Sequence, residues 1–210
     1  MTMVFRNRSQ SRNVGWKVSL AKVYFLALTT AFSITAAVAA QEPEIDIDKT
    51  TRIALGKSSG QPEQTALIPI YLTPPKSIPV GRVQLRVTFV SANVKFDKVE
   101  PGPTADNGKV KFSTDVATAK NESGIDTSTV TILAELSDPS AKSLFAGLLA
   151  YLSLRVSANA RPAKITLTTS AEASRPGSSD PLPDVRAFGA ELEVQAPNSG
   201  PMVVCFFFSH

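Results

Sequence analysis

The chain has one cysteine, one histidine and one tryptophan among its 210 residues, and each scarcity closes off a class of chemistry. The cysteine is Cys205, close to the end, so no disulfide can form within the chain and an odd thiol is left for pairing with another chain. The histidine is His210, the last residue, so zinc sites built from Cys and His and any triad built on an imidazole are excluded from the body of the chain. No glycine-rich phosphate loop is present. A pair of carboxylates, which glycosidases hold roughly 5 to 9.5 Å apart across a cleft, has one close alternating candidate, Asp46-Ile47-Asp48, near the start of the main segment. No catalytic residue, no metal site and no cofactor are expected, and the chain reads as a non-enzyme. Trp16 belongs to the N-terminal leader described next, which leaves three Tyr and the Phe residues as the aromatic stock for stacking on a sugar.

The first 40 residues contain no acid. They carry Arg6, Arg8, Arg12, Lys17 and Lys22, followed by an uncharged apolar run from Val23 to Val38 that closes on Ala39 and Ala40. A basic start, an apolar stretch of about 16 residues and a small-residue exit form the pattern of a secretory signal peptide. Cleavage before Gln41 is expected, the alternative being a retained anchor slightly shorter than a membrane span. Removal of the leader leaves 17 Lys and Arg against 18 Asp and Glu, a formal charge of −1. The basic balance of the whole chain therefore belongs to the leader, and neither nucleic acid nor an anionic membrane is implied as a partner. The expected organisation is a leader over 1–40, a linker over 41–49, one domain over 50–196 and an apolar tail over 197–210, with no transmembrane span after cleavage.

From Ile53 onward, short apolar runs of period 2 alternate with Gly, Pro, Asn and Ser, and no 3.6-residue period is sustained. Strands are expected near 51–55, over 66–72, 83–89 and 94–99, from Val110, and over 130–136, 148–156, 165–169 and 190–194. The clearest alternates Val83, Leu85, Val87 and Phe89 with Arg82, Gln84, Arg86 and Thr88. Pro69 places its run at a sheet edge or a bulge, since it cannot donate to a ladder. Residues 117–128 and 171–184 read as polar loops, and one helical turn is expected around Ala141 to Phe145. The fold class that follows is all-β: a nine-stranded antiparallel sandwich of two sheets about 10 Å apart, with jelly-roll topology.

Several segments carry a resemblance. Ile53-Ala54-Leu55-Gly56-Lys57-Ser58-Ser59-Gly60-Gln61-Pro62-Glu63-Gln64-Thr65 gives a strand, a Ser-Gly-x-Pro-like turn and the start of a second strand, which ends in Pro69-Ile70-Tyr71-Leu72. Val80 to Phe89, the Val99-Glu100-Pro101-Gly102 turn and Gly147-Leu148-Leu149-Ala150 follow in order. Together they resemble the cohesin domain over roughly residues 50 to 195. Two departures stand out: Val90-Ser91-Ala92 replaces an Asp-Pro turn, and Glu63 stands where a turn glycine is common. The resemblance implies a module, related in fold to carbohydrate-binding modules, that docks the dockerin of another protein in a setting of polysaccharide degradation. The chain has no calcium-loop repeat of its own, so the dockerin-like partner would be another chain.

The candidate partner-binding face is the outward side of the alternating strands: Arg82, Gln84, Arg86, Thr88, Thr129 and Thr131, with Tyr151, Ser153 and Arg155. Arg and Tyr are enriched at binding hot spots, although any antiparallel sandwich also has a solvated face. Direct polysaccharide binding is the alternative, as is a structural or adhesive envelope subunit. The tail, Met202 to Phe208, is apolar and could add a strand, cover an apolar patch or pair through Cys205, the alternative being a mobile end without a function. Asn121-Glu122-Ser123 fits the N-glycosylation pattern.

Overall fold

The computed structural model describes residues 46, 48–138 and 141–197. The expected leader, the tail beyond Pro197 and with it Cys205 lie outside the described residues, all of which belong to the unit Pro43–His210. The elements are β1 (Thr51–Leu55), β2 (Ser58–Gly60), β3 (Thr65–Thr73), β4 (Arg82–Val90), β5 (Val94–Pro101), α1 (Pro103–Gly108), β6 (Val110–Lys120), β7 (Asp126–Leu136), β8 (Gly147–Val156), β9 (Ala163–Ser174), β10 (Val185–Phe188) and β11 (Ala190–Val194). They form a five-stranded sheet in the order β10-β1-β3-β8-β5 and a six-stranded sheet in the order β2-β11-β9-β4-β7-β6.

The all-β sandwich stands, with eleven strands among the described residues in place of nine. The two additions are β2 and β10, three and four residues long. Both pair in parallel, β2 with β11 and β10 with β1, so the sheets are mixed where an antiparallel arrangement was expected. The chain passes from one sheet to the other at most of its connections, and the two shortest passages are at Gly56 between β1 and β2 and at Gly189 between β10 and β11. Each crossing is too tight for a side chain: a Cβ would lie 2.5 Å from Pro69 Cγ at Gly56 and 2.2 Å from the Leu167 carbonyl oxygen at Gly189.

Alternation explains the core. Ile53, Ile68, Ile70, Leu72, Leu152 and Leu154 of one sheet and Val83, Val87, Phe89, Val130, Leu167 and Leu192 of the other are buried to within 2% of their surface. Burying side chains of this size is worth about 1.5–3 kcal/mol each, which lets a fold without a disulfide stand. Pro69 is not at an edge, because β3 lies between β1 and β8. The register shifts between Ile70 and Tyr71, next to the proline, so the break in the ladder takes the form of an irregularity inside the sheet.

Three further expectations are corrected. The residues read as a loop over 117–128 are mostly strand, with β6 and β7 joined by a tight turn in which the Asn121 side-chain oxygen accepts from the amides of Ser123 at 3.0 Å and Ile125 at 2.9 Å. The loop expected from 171 begins at Arg175, since β9 runs on to Ser174. The helical turn near Ala141 is absent; Leu144 donates instead to the Val80 carbonyl at 2.6 Å and plugs that end of the core at 1% exposure. The helix that does form, α1, begins with Pro103 at its first turn and ends on Lys109 in the left-handed conformation, φ 49°. At the first turn of the domain, Glu63 also takes a positive φ of 68°, the conformation for which a glycine is the ordinary choice.

Candidate functional site

The expected face divides between two sheets. Arg82, Gln84, Arg86 and Thr88 lie on β4, and Thr129 and Thr131 on its neighbour β7, where Arg86 stands opposite Thr131 and Thr88 opposite Thr129. Tyr151, Ser153 and Arg155 lie on β8 in the other sheet. They point away from the core on the opposite side of the sandwich, so the Tyr and one Arg cannot share a contact surface with the β4 residues. Ser153 is not accessible at all: in register between Leu67 and Lys98, it is fully buried, and its hydroxyl has no partner.

The outer side of β9, β4, β7 and β6 is a regular array fixed by backbone register. Across it run Glu172-Gln84-Leu133-Ser113, then Ser170-Arg86-Thr131-Asp115, then Thr168-Thr88-Thr129-Ala117. Arg86 donates from Nη1 to Glu172 Oε1 at 3.1 Å, and the Thr88 and Thr129 hydroxyls meet at 2.9 Å. Arg82 stands between Glu135 and Ser174, and Lys111 follows Glu135. Arg82, Arg86 and Lys111 thus face Asp115, Glu135 and Glu172, a balanced set where sequence reading saw only cations. The acids were missed for a simple reason. Glu172 fell in a presumed loop, and the cross-strand neighbours of an alternating run are set by pairing, which the run itself does not encode.

No aromatic side chain stands on this face among the described residues of the four strands. One end is walled by the segment after β9, where Ser174 bridges to Pro181, the Leu182 amide donates to the Ala173 carbonyl at 2.7 Å, and the Gly81 amide donates to the Ser174 carbonyl at 2.8 Å. Two polar pockets open beneath that wall. One of about 210 Å³ is lined by Arg82, Gln84, Glu172, Ser174 and Ser179; the other, of about 530 Å³, adds Glu135, Asp138 and Arg175 to Arg82.

The Asp46 and Asp48 carboxylates are each paired with a lysine. Asp46 meets Lys49 at 3.0 Å, a hydrogen bond that holds its carboxyl below the usual carboxylate range, and Asp48 meets Lys76 at 3.3 Å. No group of three or more His, Cys, Asp or Glu able to hold a metal exists among the described residues, and no helix among them is long and apolar enough to cross a membrane.

No protein-family model matches the chain, and no curated protein sequence matches it. Solved structures do. The sixth cohesin of scaffoldin B from Acetivibrio cellulolyticus, in complex with a mutant Cel5 dockerin, is 14% identical, with 70% of this chain and 99% of that chain covered and a TM-score of 0.54. The OlpA cohesin from Clostridium thermocellum, in a type I cohesin–dockerin complex, is 13% identical, with 70% and 99% covered and a TM-score of 0.52. The seventh ScaB type I cohesin from Pseudobacteroides cellulosolvens is 13% identical, with 74% and 99% covered and a TM-score of 0.51. Nearly the whole of each cohesin is covered, and this chain therefore has the cohesin fold.

Proposed function

We propose that the chain is an exported, non-enzymatic binding module that docks a dockerin-like domain of another protein on the outer face of β9, β4, β7 and β6. The observation that carries this reading is the array itself: a flat, register-fixed surface with three cations and three acids around Leu133. Mixed charge of this kind favours a specific protein surface over a polyanion, because complementary pairs fix register and exclude wrong partners. The absence of an aromatic ring on this face speaks against sugar stacking there. The cohesin fold, seen in cohesins solved with dockerins, supports the same partner class. Export through the N-terminal leader and a setting of polysaccharide degradation complete the proposal, the first testable by N-terminal sequencing of secreted protein for a start at Gln41.

The test is capture of proteins from secreted and envelope fractions on immobilised residues 41–210, run beside retention on insoluble cellulose and xylan. A captured protein bearing paired calcium loops is expected. Its binding should weaken roughly 5- to 100-fold in the double variant Arg82→Ala, Arg86→Ala, the range of about 1–3 kcal/mol for interface hot spots. Tyr151→Ala and Arg155→Ala, on the opposite sheet, should leave it unchanged. Retention on polysaccharide with no captured protein would overturn the reading.

A further inference from the structure

The sandwich is closed along one edge and open along the other. On the closed side the sheets end in β10 and β2, and the two crossings at Gly56 and Gly189 tie them together. On the open side the sheets end in β5 and β6, which the chain joins at one end only, through α1, away from Phe96 and Val116. The inward row of β6, Thr114, Val116 and Thr118, stands beside Ile132, Val130 and Ser128 of β7. Those three β7 residues are buried, yet every residue from Ser113 to Lys120 is exposed. Val116 points toward the core side and still shows 44% of its surface, and Ile125 in the following turn shows 45%. Between the two edge strands lies a groove of about 790 Å³ lined by Phe96, Val116, Thr118 and Ile125, with Ala92 and Ser91 at its end. It is a stretch of core surface that the described residues leave uncovered.

We propose that the occupant of this groove is the segment Met202–Phe208 of the same chain. Three observations point to it. The first is reach. Val194 pairs with Ala163, Thr168 with Thr88 and Val90 with Thr127, so β11 leaves its sheet at the end where residues 91–93 and the β6–β7 turn lie. The last fixed pairing is the Gln195 amide to the Gly60 carbonyl at 2.9 Å. Crossing from β11 to a position beside the free edge of β6 takes five strand spacings, about 24 Å. The seven residue steps from Gln195 to Met202 extend to about 23–25 Å, so Met202 is the first residue that can reach it, on a fully extended chain. The second is direction. β11 and β6 run the same way, since three antiparallel neighbours separate them, so a chain that leaves β11 and turns back runs antiparallel to β6 and can pair with its free edge. The third is composition. Met202-Val203-Val204-Cys205-Phe206-Phe207-Phe208 is apolar at both alternating sets of positions, the pattern of a strand covered on both sides, and no Lys, Arg, Asp or Glu follows Glu193.

Cys205 provides the probe. In residues 41–210, Thr118→Cys or Ala92→Cys places a second thiol in the groove, and Lys76→Cys places one at the opposite end of the sandwich, beyond the end of β3. Mild oxidation at low protein concentration should give an intramolecular disulfide in the two groove variants, read as an oxidised monomer by mass and non-reducing electrophoresis, at least tenfold more than in Lys76→Cys. Equal yields at all three positions, or no disulfide in the groove, would overturn the proposal. Disulfide-linked dimers alone would also overturn it and assign the groove to the tail of a second copy. Hydrogen exchange provides an independent readout on the unmodified sequence. Amides of Val116 to Asp126 should exchange at least tenfold more slowly in residues 41–210 than in a chain stopped at Pro197, and equal rates would refute the docking. None of these results depends on the dockerin-like partner, so the two proposals fail separately.

Discussion

Replacing Gly189 by alanine tests the crossing between β10 and β11. The added Cβ would sit 2.2 Å from the Leu167 carbonyl oxygen, where an unforced carbon–oxygen contact is about 3.3 Å or more, so one backbone segment must move by about 1 Å. The obstacle cannot swing aside as a side chain would. Leu167 is fully buried in β9 and is paired with Ala190, the residue after the crossing. Overpacking of this kind costs about 1–3 kcal/mol, and the lower freedom of alanine in the unfolded chain returns about 0.4–1 kcal/mol. A net loss of about 1–2 kcal/mol is expected. In urea the midpoint should fall with the slope unchanged, and thermal unfolding should drop by roughly 2–8 °C for a domain of this size. A variant as stable as the parent would show that the crossing is looser than described and would refute the steric argument.

Three other substitutions separate further contributions. Glu63→Gly relieves a left-handed residue, φ 68°, which costs about 1–2 kcal/mol for a side chain with a Cβ, against about 0.5–1 kcal/mol for the greater freedom of glycine when unfolded; a gain of up to about 1 kcal/mol in urea unfolding is expected, and a loss would contradict it. Ser153→Ala removes a fully buried hydroxyl that has no partner, so stability should hold or rise by about 1 kcal/mol, and a fall of that size would refute the assignment of an unpaired group. Leu152→Ala opens a cavity under β8, between Ile68 of β3 and Val99 of β5, and should cost about 2–5 kcal/mol by the same measurement, with a smaller loss showing that the site collapses around it.

Much of the sandwich was legible from alternation alone. Val83, Leu85, Val87 and Phe89 are buried and the intervening β4 residues half-buried or exposed, as the period of 2 requires, and the closing strand falls on Ala190–Val194. Failures occurred where that signal is physically absent. β2 and β10 are too short to show a period and hold their place by parallel pairing with strands from the other end of the chain. The second half of β6 lies beyond the cover of the opposite sheet, so its inward positions carry Thr114 and Thr118 and the segment imitates a loop. The candidate face was half legible: the outward character of Arg82, Gln84, Arg86, Thr88, Thr129 and Thr131 could be read, whereas their company could not.

The sequence by itself determined which side of most strands is apolar, that one cysteine and one histidine leave no disulfide within the chain and no imidazole in the domain, and that an acid-free segment with five basic residues and an apolar run precedes it. An alternating run states its own inner and outer faces because successive side chains point to opposite sides. It says nothing of its neighbour, because the N–H and C=O groups that join strands are the same at every residue. Only the tertiary structure therefore decided that β8 lies in the other sheet from β4, that Glu172 and Asp115 flank Arg86 and Thr131, and that one edge of the sandwich is closed by two glycine crossings while the other is joined at one end only, through α1.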